Sequence, residues 1–195
     1  MKNLDGLNLG VALCGSFCTF SKTIVLIEEL VNKGLNVFPI MSFNAYNTCT
    51  RFGKPEDIIN KIETLTGKTI IHTIVDAEPL GPKGILDAIL VAPCTGNTLA
   101  KMTYGITDTP VLLAAKSLMR NGKPIIIALA TNDGIGGNLK NIGYMINKKD
   151  IYFVPLGQDD TVKKPYSLVA DFSRTISTIE FALNDQQIQP VFIEY

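Results

Sequence analysis

Short runs of apolar residues alternate along this chain with stretches whose apolar positions recur every three or four residues. That alternation leaves few folds open. A strand apolar on both faces must be covered on both, and amphipathic helices lying between such strands are the elements that cover them. The expected fold class is therefore α/β, a doubly wound and mostly parallel sheet with helices on both faces, in a Rossmann-like three-layer arrangement. No repeat, low-complexity tract or linker divides it, so residues 1–195 are expected to form a single domain.

The first expected strand is Leu9–Cys14, broken by Gly15-Ser16. A helix follows with Ile24, Ile27, Leu30 and Val31 on one face and Gly34 as its stop. Asn36–Phe43 reads as a second strand despite Pro39. Pro55-Glu56-Asp57 opens a helix, since proline fits the first turn and acids favour the dipole there; Gly67 closes it. Thr69–Val75 reads as a short strand, and Glu78–Gly84, with its prolines and glycines, as irregular. Further strands are expected at Leu86–Ala92, ended by Pro93, at Ile125–Ala130 and at Ile151–Val154. Helices are expected from Thr109-Pro110 to Asn121-Gly122 and from Leu139 to Lys148. A last helix is expected to carry Val169, Phe172, Ile176, Ile179 and Leu183, with the tail Val191–Ile193 docked on its own domain or a neighbour.

Composition narrows the function. Eighteen basic and eighteen acidic residues cancel, so no basic face is imposed and nucleic acid is not the expected partner. Apolar residues are 46% and charged residues 18%, a lean surface that points to cover by other subunits and to a homo-oligomer. No run approaches the ~20 apolar residues of a membrane span, and the N-terminus carries no secretory pattern, which leads to a cytoplasmic expectation. Cys14, Cys18, Cys49 and Cys94, with His72 as the single histidine, match no zinc spacing, so no metal is expected and the cysteines read as reduced thiols.

In open parallel sheets a ligand lies beyond the carboxyl ends of the strands, so the loops leaving those ends are the ones to read. They are Cys14-Gly15-Ser16-Phe17-Cys18-Thr19, Ser42-Phe43-Asn44-Ala45, Pro93-Cys94-Thr95-Gly96-Asn97-Thr98 and Thr131-Asn132-Asp133-Gly134. Small hydroxyl and amide side chains beside helix N-termini suit a phosphate, because they donate hydrogen bonds without bulk. The same residues also cap helices and form turns; four such loops at one sheet edge favour a site. Gly15, Ser16, Ser42, Asn44, Thr95, Gly96, Asn97, Thr98, Thr131 and Asn132 are the expected cofactor-binding residues. Two nucleotide motifs are excluded. Gly10 and Gly15 have P-loop spacing, but Ser16-Phe17 replaces the required Lys-Ser/Thr, and Gly134-Ile135-Gly136-Gly137 lacks the last glycine of the dinucleotide fingerprint, where Leu139 stands.

These loops resemble those of the flavoprotein family that includes the flavin-dependent cysteine-peptide and phosphopantothenoylcysteine decarboxylases and the flavin prenyltransferases. Gly15-Ser16 matches that family's Gly-Ser turn, Ser42-x-x-Ala45 its hydroxyl-x-x-Ala, and Pro93–Thr98 its Pro-x-Ser-Ala-Asn-Thr motif. The resemblance implies FMN, with the phosphate near Ser16, Ser42 and Thr95 and with Asn97 close to the reacting group. The family decarboxylases carry a catalytic histidine about eight residues before the strand-opening aspartate, here Asp87; the matching position is Pro79, which speaks against cysteine-type decarboxylation. His72 reads as structural.

Co-linear matches from Leu9 to Val191 give a closer resemblance, to the dipicolinate synthase B-subunit family of endospore-forming bacteria. They are Ser42–Gly53, Glu78–Lys83, Ala92–Lys101, Thr107–Leu112, Thr131–Asp133, Gly157–Asp160 and Lys163–Pro165. This implies an oxidoreductase subunit acting during sporulation, in the mother cell, with a partner A subunit that carries the NAD(P) site. The implied substrate is a small dicarboxylate, dihydrodipicolinate or its hydroxytetrahydro precursor, which becomes the aromatic dipicolinate. Arg51, Lys83 and Lys101 are then expected to bind substrate carboxylates, since Arg suits a bidentate clamp. Asn97 and Asp133 are the expected catalytic residues, Asp133 as proton acceptor or as a turn residue. Two alternatives stay open: a free-standing FMN-dependent decarboxylase, or a non-catalytic scaffold completing the partner's site without retaining the flavin.

Overall fold

A computed structural model of the chain describes residues 4–194. Its parallel strands are β1 (Asn8–Leu13), β2 (Asn36–Met41), β3 (Ala88–Cys94), β4 (Ile125–Thr131) and β5 (Ile151–Phe153). An antiparallel hairpin of β6 (Leu156–Asp160) and β7 (Lys164–Ala170) completes a seven-stranded sheet of order β2-β1-β3-β4-β7-β6, with β5 also on β4. β3 is buried at all seven positions and β4 at the first six, as strands covered on both faces must be.

The helices are α1 (Phe20–Asn32), α2 (Phe43–Asn47), α3 (Pro55–Thr66), α4 (Ile74–Ala77), α5 (Gly96–Thr103), α6 (Pro110–Arg120), α7 (Leu139–Ile146) and α8 (Thr175–Ala182). The crossover from β1 to β2 and the one from β3 to β4 run in opposite directions along the sheet. Right-handed connections then place α1 on one face and α6 on the other. Three helices that meet the carboxyl edge are capped by hydroxyls: Ser42 accepts from the Ala45 N–H at 3.3 Å, Thr95 from the Thr98 N–H at 3.2 Å and Thr109 from the Leu112 N–H at 3.3 Å. α3 opens on Pro55 and ends on Gly67 at φ +64°, as the sequence predicts.

Several expected boundaries move. The second strand stops at Met41, because Ser42 caps α2 and turns Phe43 into a helix. Pro39 is tolerated because β2 is an edge strand. The N–H groups of Asn36 and Ser42 face β1, whereas that of Met41 faces outward to the Ile71 carbonyl, so Pro39 falls on the outward side where the ladder needs no donor. The segment expected as a strand from Thr69 to Val75 makes a single bridge, Ile71 to Ile40, before Thr73 caps α4. Pro93 does not end β3. The strand runs on through a cis Ala92–Pro93 bond and a register shift to Cys94.

The largest difference lies after Phe153. The expected last helix is split: Val169 belongs to β7, Phe172 to a short 3-10 turn, and only Thr175–Ala182 is α-helical. The apolar spacing of three and four residues arose by coincidence across three elements. Docking of the tail is seen on its own sheet, where the Leu156 N–H donates to the Val191 carbonyl and the Ile193 N–H to that of Leu156.

β4 carries two partners on one side. Its first half pairs with β5, and Ala130 and Thr131 pair with Val169 and Leu168 of β7. The hairpin is thereby swung over the carboxyl edge. Its tip is tied by Asp160, whose carboxylate accepts the N–H groups of Val162 and Lys163 at 3.0 and 2.8 Å and is held below the usual carboxylate range by them. Gly134 permits the docking: a Cβ there would lie 2.6 Å from Leu168 Cβ. Gly134→Ala is expected to destabilise the fold by about 1–3 kcal/mol, as overpacking does, and to loosen the hairpin; urea unfolding with hydrogen exchange at β7 amides checks both.

Candidate active site

β1 and β3 are neighbours whose continuations part in opposite directions, and a cleft opens at such a switch point. A cavity of about 840 Å³ lies there. Its wall is built from the loop after β1 (Gly15–Thr19), the first turn of α5 (Thr95–Asn97), the loop after β4 (Thr131–Asp133), the start of α7, and the hairpin. The loops after β1 and β3 touch directly, the Cys14 N–H donating to the Pro93 carbonyl at 3.1 Å.

Two helix starts aim at this space. The first turn of a helix has N–H groups without intrahelical acceptors. At α5 these belong to Gly96 and Asn97, since the Thr98 and Leu99 N–H groups are already taken by Thr95. Before α1, Phe17–Thr19 forms a 3-10 turn whose leading N–H groups are those of Phe17 and Cys18. The Ser16 N–H is occupied, bonded to the Cys14 carbonyl at 2.7 Å. The Thr95 hydroxyl oxygen accepts from the helix and lies 3.0 Å from Thr98 Oγ1.

The floor is a polar cluster. The Thr131 hydroxyl donates to Asp133 Oδ1 at 2.6 Å, Asn138 Nδ2 donates to the same oxygen at 2.7 Å, and Asn141 Nδ2 donates to Asn138 Oδ1 at 2.8 Å. The hydrogen bond from Thr131 and, after it, that from Asn138 hold the Asp133 carboxyl below the usual range. Gly96 is pressed against this cluster. A Cβ at that position would meet Asn138 Nδ2 at 2.4 Å and Thr131 Oγ1 at 2.5 Å.

Of the expected residues, Gly15, Ser16, Thr95, Gly96, Asn97, Thr131, Asn132 and Asp133 come together in the wall. Thr98 is buried behind Thr95, and Ser42, 8% exposed, caps α2 behind the first loop. Asn44 stands beside Gly15, where a Cβ would lie 3.7 Å from Asn44 Cβ. Asp133 Oδ1 accepts two hydrogen bonds and the carboxyl has a lowered pKa, an arrangement that suits an anchor better than a proton acceptor. Arg51 does not line the cavity; its guanidinium stacks 4.9 Å over the ring of Phe52, which does. Lys101 is ion-paired with Asp108 at 2.6 Å outside the wall. Lys83 lies at the wrong end of the sheet. Its turn packs at the end of α6, where Asn121 bonds the Gly81 carbonyl, and at the start of β1, where Asn8 bonds that of Ile85.

The wall also holds residues that the loop-by-loop reading missed. Phe17, Phe52 and Tyr104 supply aromatic surface, α7 supplies Asn138, Lys140 and Asn141, and the hairpin supplies Asp159, Lys164 and Ser167. Lys164 and Asp159 form an ion pair there. The missed signal was the charged pair of segments Gln158-Asp159-Asp160 and Lys163-Lys164 around a short turn. It reads as a hairpin once Val169 is released from the helix. The buried thiols Cys14 and Cys94 sit beneath the loops and are raised by burial, Cys14 to about 11, whereas Cys18 and Cys49 are exposed. His72 stacks on Tyr46 with ring centroids 3.8 Å apart and is absent from the wall.

A sheet of this order with a cavity at its switch point is the architecture of flavin-binding α/β proteins, and the flavoprotein family model matches residues 1–158. The chain belongs to the flavoprotein family, and within it to the group of the dipicolinate synthase B subunits. It is 46% identical over 194 residues to the dipicolinate synthase B subunit of Bacillus subtilis, covering 100% of this chain and 97% of that one. The crystal structure of the dipicolinate synthase B subunit from Bacillus halodurans superimposes with a TM-score of 0.91 at 44% identity, over 99% of each chain. An FMN-dependent cysteine decarboxylase shares the fold at a TM-score of 0.70 and 20% identity, over 93% of this chain and 97% of that one. Among the described residues, no helix is long and apolar enough to cross a membrane.

The depressed Asp133 pKa has a signed consequence. Its folded-state contacts act in full above the unfolded carboxylate value and are lost as pH falls through the lower folded one. The stability difference between the wild type and Asp133→Ala is therefore expected to be flat from about pH 5 to 8 and to shrink below about pH 4, as urea unfolding across that range would show.

Proposed function

We propose that this chain is the B subunit of a dipicolinate synthase, a cytoplasmic oxidoreductase of the sporulating mother cell that acts with an NAD(P)-binding A subunit. The observation that carries this reading is the identity of 46% running through 194 residues, β7 and the tail included. The reaction removes one hydride and one proton from a dihydrodipicolinate ring, or first water and then these from its hydroxytetrahydro precursor, and aromaticity drives it. The hydride needs a two-electron acceptor, which an oxidised flavin or nicotinamide would supply.

FMN fits the residues present. A volume of about 840 Å³ lies within the ~300–1,000 Å³ of ligand pockets. The free N–H groups at Phe17-Cys18 and Gly96-Asn97 suit a dianionic phosphate. Gly15, Ser16, Thr95, Gly96, Asn97, Thr131 and Asn132 would hold the cofactor, with Ser42, Asn44 and Thr98 supporting from behind. Bound there, the flavin supplies a two-electron acceptor. Asn97, exposed in the wall, is assigned to the reacting group.

The substrate carboxylates need cations, and among the described residues the wall offers Lys140 and Lys164. We assign the dicarboxylate to these two in place of Lys83 and the paired Lys101, with Arg51 at the margin behind Phe52. Lys164 reaches substrate by exchanging its partner Asp159 for a carboxylate. The free-standing decarboxylase reading is disfavoured by Pro79, which stands outside the wall, and by the stacked His72.

Two experiments test this. The purified chain mixed with FMN is expected to keep flavin absorbance through gel filtration, and FMN is expected to shield Cys18 from iodoacetamide while exposed Cys49 stays reactive. A colourless chain would move the redox chemistry to the partner. With both subunits, Lys164→Met and Lys140→Met are each expected to raise KM for the dicarboxylate roughly tenfold with FMN affinity unchanged. Normal dipicolinate in a spore-former lacking this chain would overturn the assignment altogether.

A further inference from the structure

Asn138 and Asn141 are 7% and 4% exposed, both line the cavity, and the reading above gives neither a role. Their orientation follows from elementary chemistry. An ionised carboxylate only accepts, so Asp133 Oδ1 obliges Asn138 to present Nδ2, which lies 2.7 Å away. The Asn138 carbonyl oxygen then faces the other way and takes Asn141 Nδ2 at 2.8 Å. Gly96 closes the remaining side, since even a Cβ there would lie 2.4 Å from Asn138 Nδ2.

The chain of donors does not end in a saturated group. Asn141 spends one amide hydrogen on Asn138, and among the described residues its Oδ1 receives no donor. Asn141 is needed to satisfy the buried Asn138 carbonyl oxygen, yet its own oxygen and second amide hydrogen are left over. A nearly buried carboxamide with an idle acceptor and an idle donor on the cavity wall is what points to a ligand.

We infer that Asn141 reads an edge of the bound ligand on which a ring N–H stands beside a carbonyl, with Asp133 and Asn138 as positioning residues that hold its carboxamide in place. A primary amide pairs with such an edge through two antiparallel hydrogen bonds, its oxygen accepting the ring N–H and its remaining hydrogen reaching the carbonyl. The inference rests on the flavin reading, because the imide edge of the flavin ring has this pattern. It also turns Asp133 from a proton acceptor into the group that polarises the floor.

The test is a binding cycle with FMN and 3-methyl-FMN, whose imide nitrogen carries no hydrogen, read by flavin fluorescence quenching. The wild type is expected to bind FMN roughly five- to tenfold more tightly than the methylated flavin. Asn141→Ala is expected to bind both with affinities within about twofold of each other. Asp133→Asn, which frees residue 138 to face either way, is expected to weaken the discrimination although it leaves Asn141 unchanged. Equal affinity of the wild type for the two flavins overturns the inference while the flavin reading stands. Undiminished discrimination in Asn141→Ala overturns it as well, and no FMN binding by the wild type overturns both. The wild-type comparison needs no variant to fold.

Discussion

Where β1 and β3 lie side by side, their continuations leave the sheet in opposite directions, and the gap between them cannot be closed by ladder hydrogen bonds. The rest of the carboxyl edge is arranged around that gap. Cys14 bonds Pro93 across it at 3.1 Å, the 3-10 turn before α1 and the first turn of α5 point their open N–H groups at it, and the loop after β4 closes the third side. Buried backbone donors without partners are costly, so a cleft ringed by them is tolerable only if water or a ligand completes them. The parallel core below supplies the rigidity. The strands that carry these loops are buried through almost their whole length.

The floor of the cleft is polar where the core beneath it is not. Asp133, Thr131, Asn138 and Asn141 form one directed sequence of hydrogen bonds, and such a buried network is stable only when its orientations are mutually consistent. Gly96 is the element that keeps them so, because any side chain at the start of α5 would collide with Asn138 and Thr131. A single backbone position thus couples the start of α5, with its open N–H groups, to the amides that line the cavity.

How much of this was legible in the sequence divides along physical lines. The parallel strands and the capped helices were readable because each is specified locally, by apolar runs, by Thr95 and Thr109 as caps, and by Gly67 as a stop. The loops after β1, β3 and β4 were readable because a parallel sheet obliges its ligand to lie at their end. The hairpin was not. Val169 pairs with Ala130, and Phe172 begins a 3-10 turn, yet their spacing with Ile176 and Ile179 imitates one helical face. Pro93 misled in the other direction, since a proline inside β3 is accommodated by a register shift that no local rule announces. Lys83 was assigned to the wrong end because the segment from Thr73 to Gly84 travels back along the sheet to the amino ends of the strands before β3 begins.

The wall of the cavity has two origins. Residues 1–158, which match the flavoprotein family as a whole, supply both helix starts, the loop after β4 and the amide floor. β7 lies beyond that match, and it brings Lys164, Ser167 and Val169 to the mouth. The identity with the Bacillus subtilis relative, by contrast, runs through β7 to the end of the chain. On the proposed reading, the part common to the family would hold the shared cofactor, and the strand outside that match would be where a particular substrate is distinguished. The chemistry agrees with this division. The shared part is largely neutral and rich in N–H groups, as a cofactor phosphate and a flat heterocycle require. The hairpin adds a cation, Lys164, paired with Asp159 at an exposed position, where on the proposed reading a substrate carboxylate would exchange for that of Asp159.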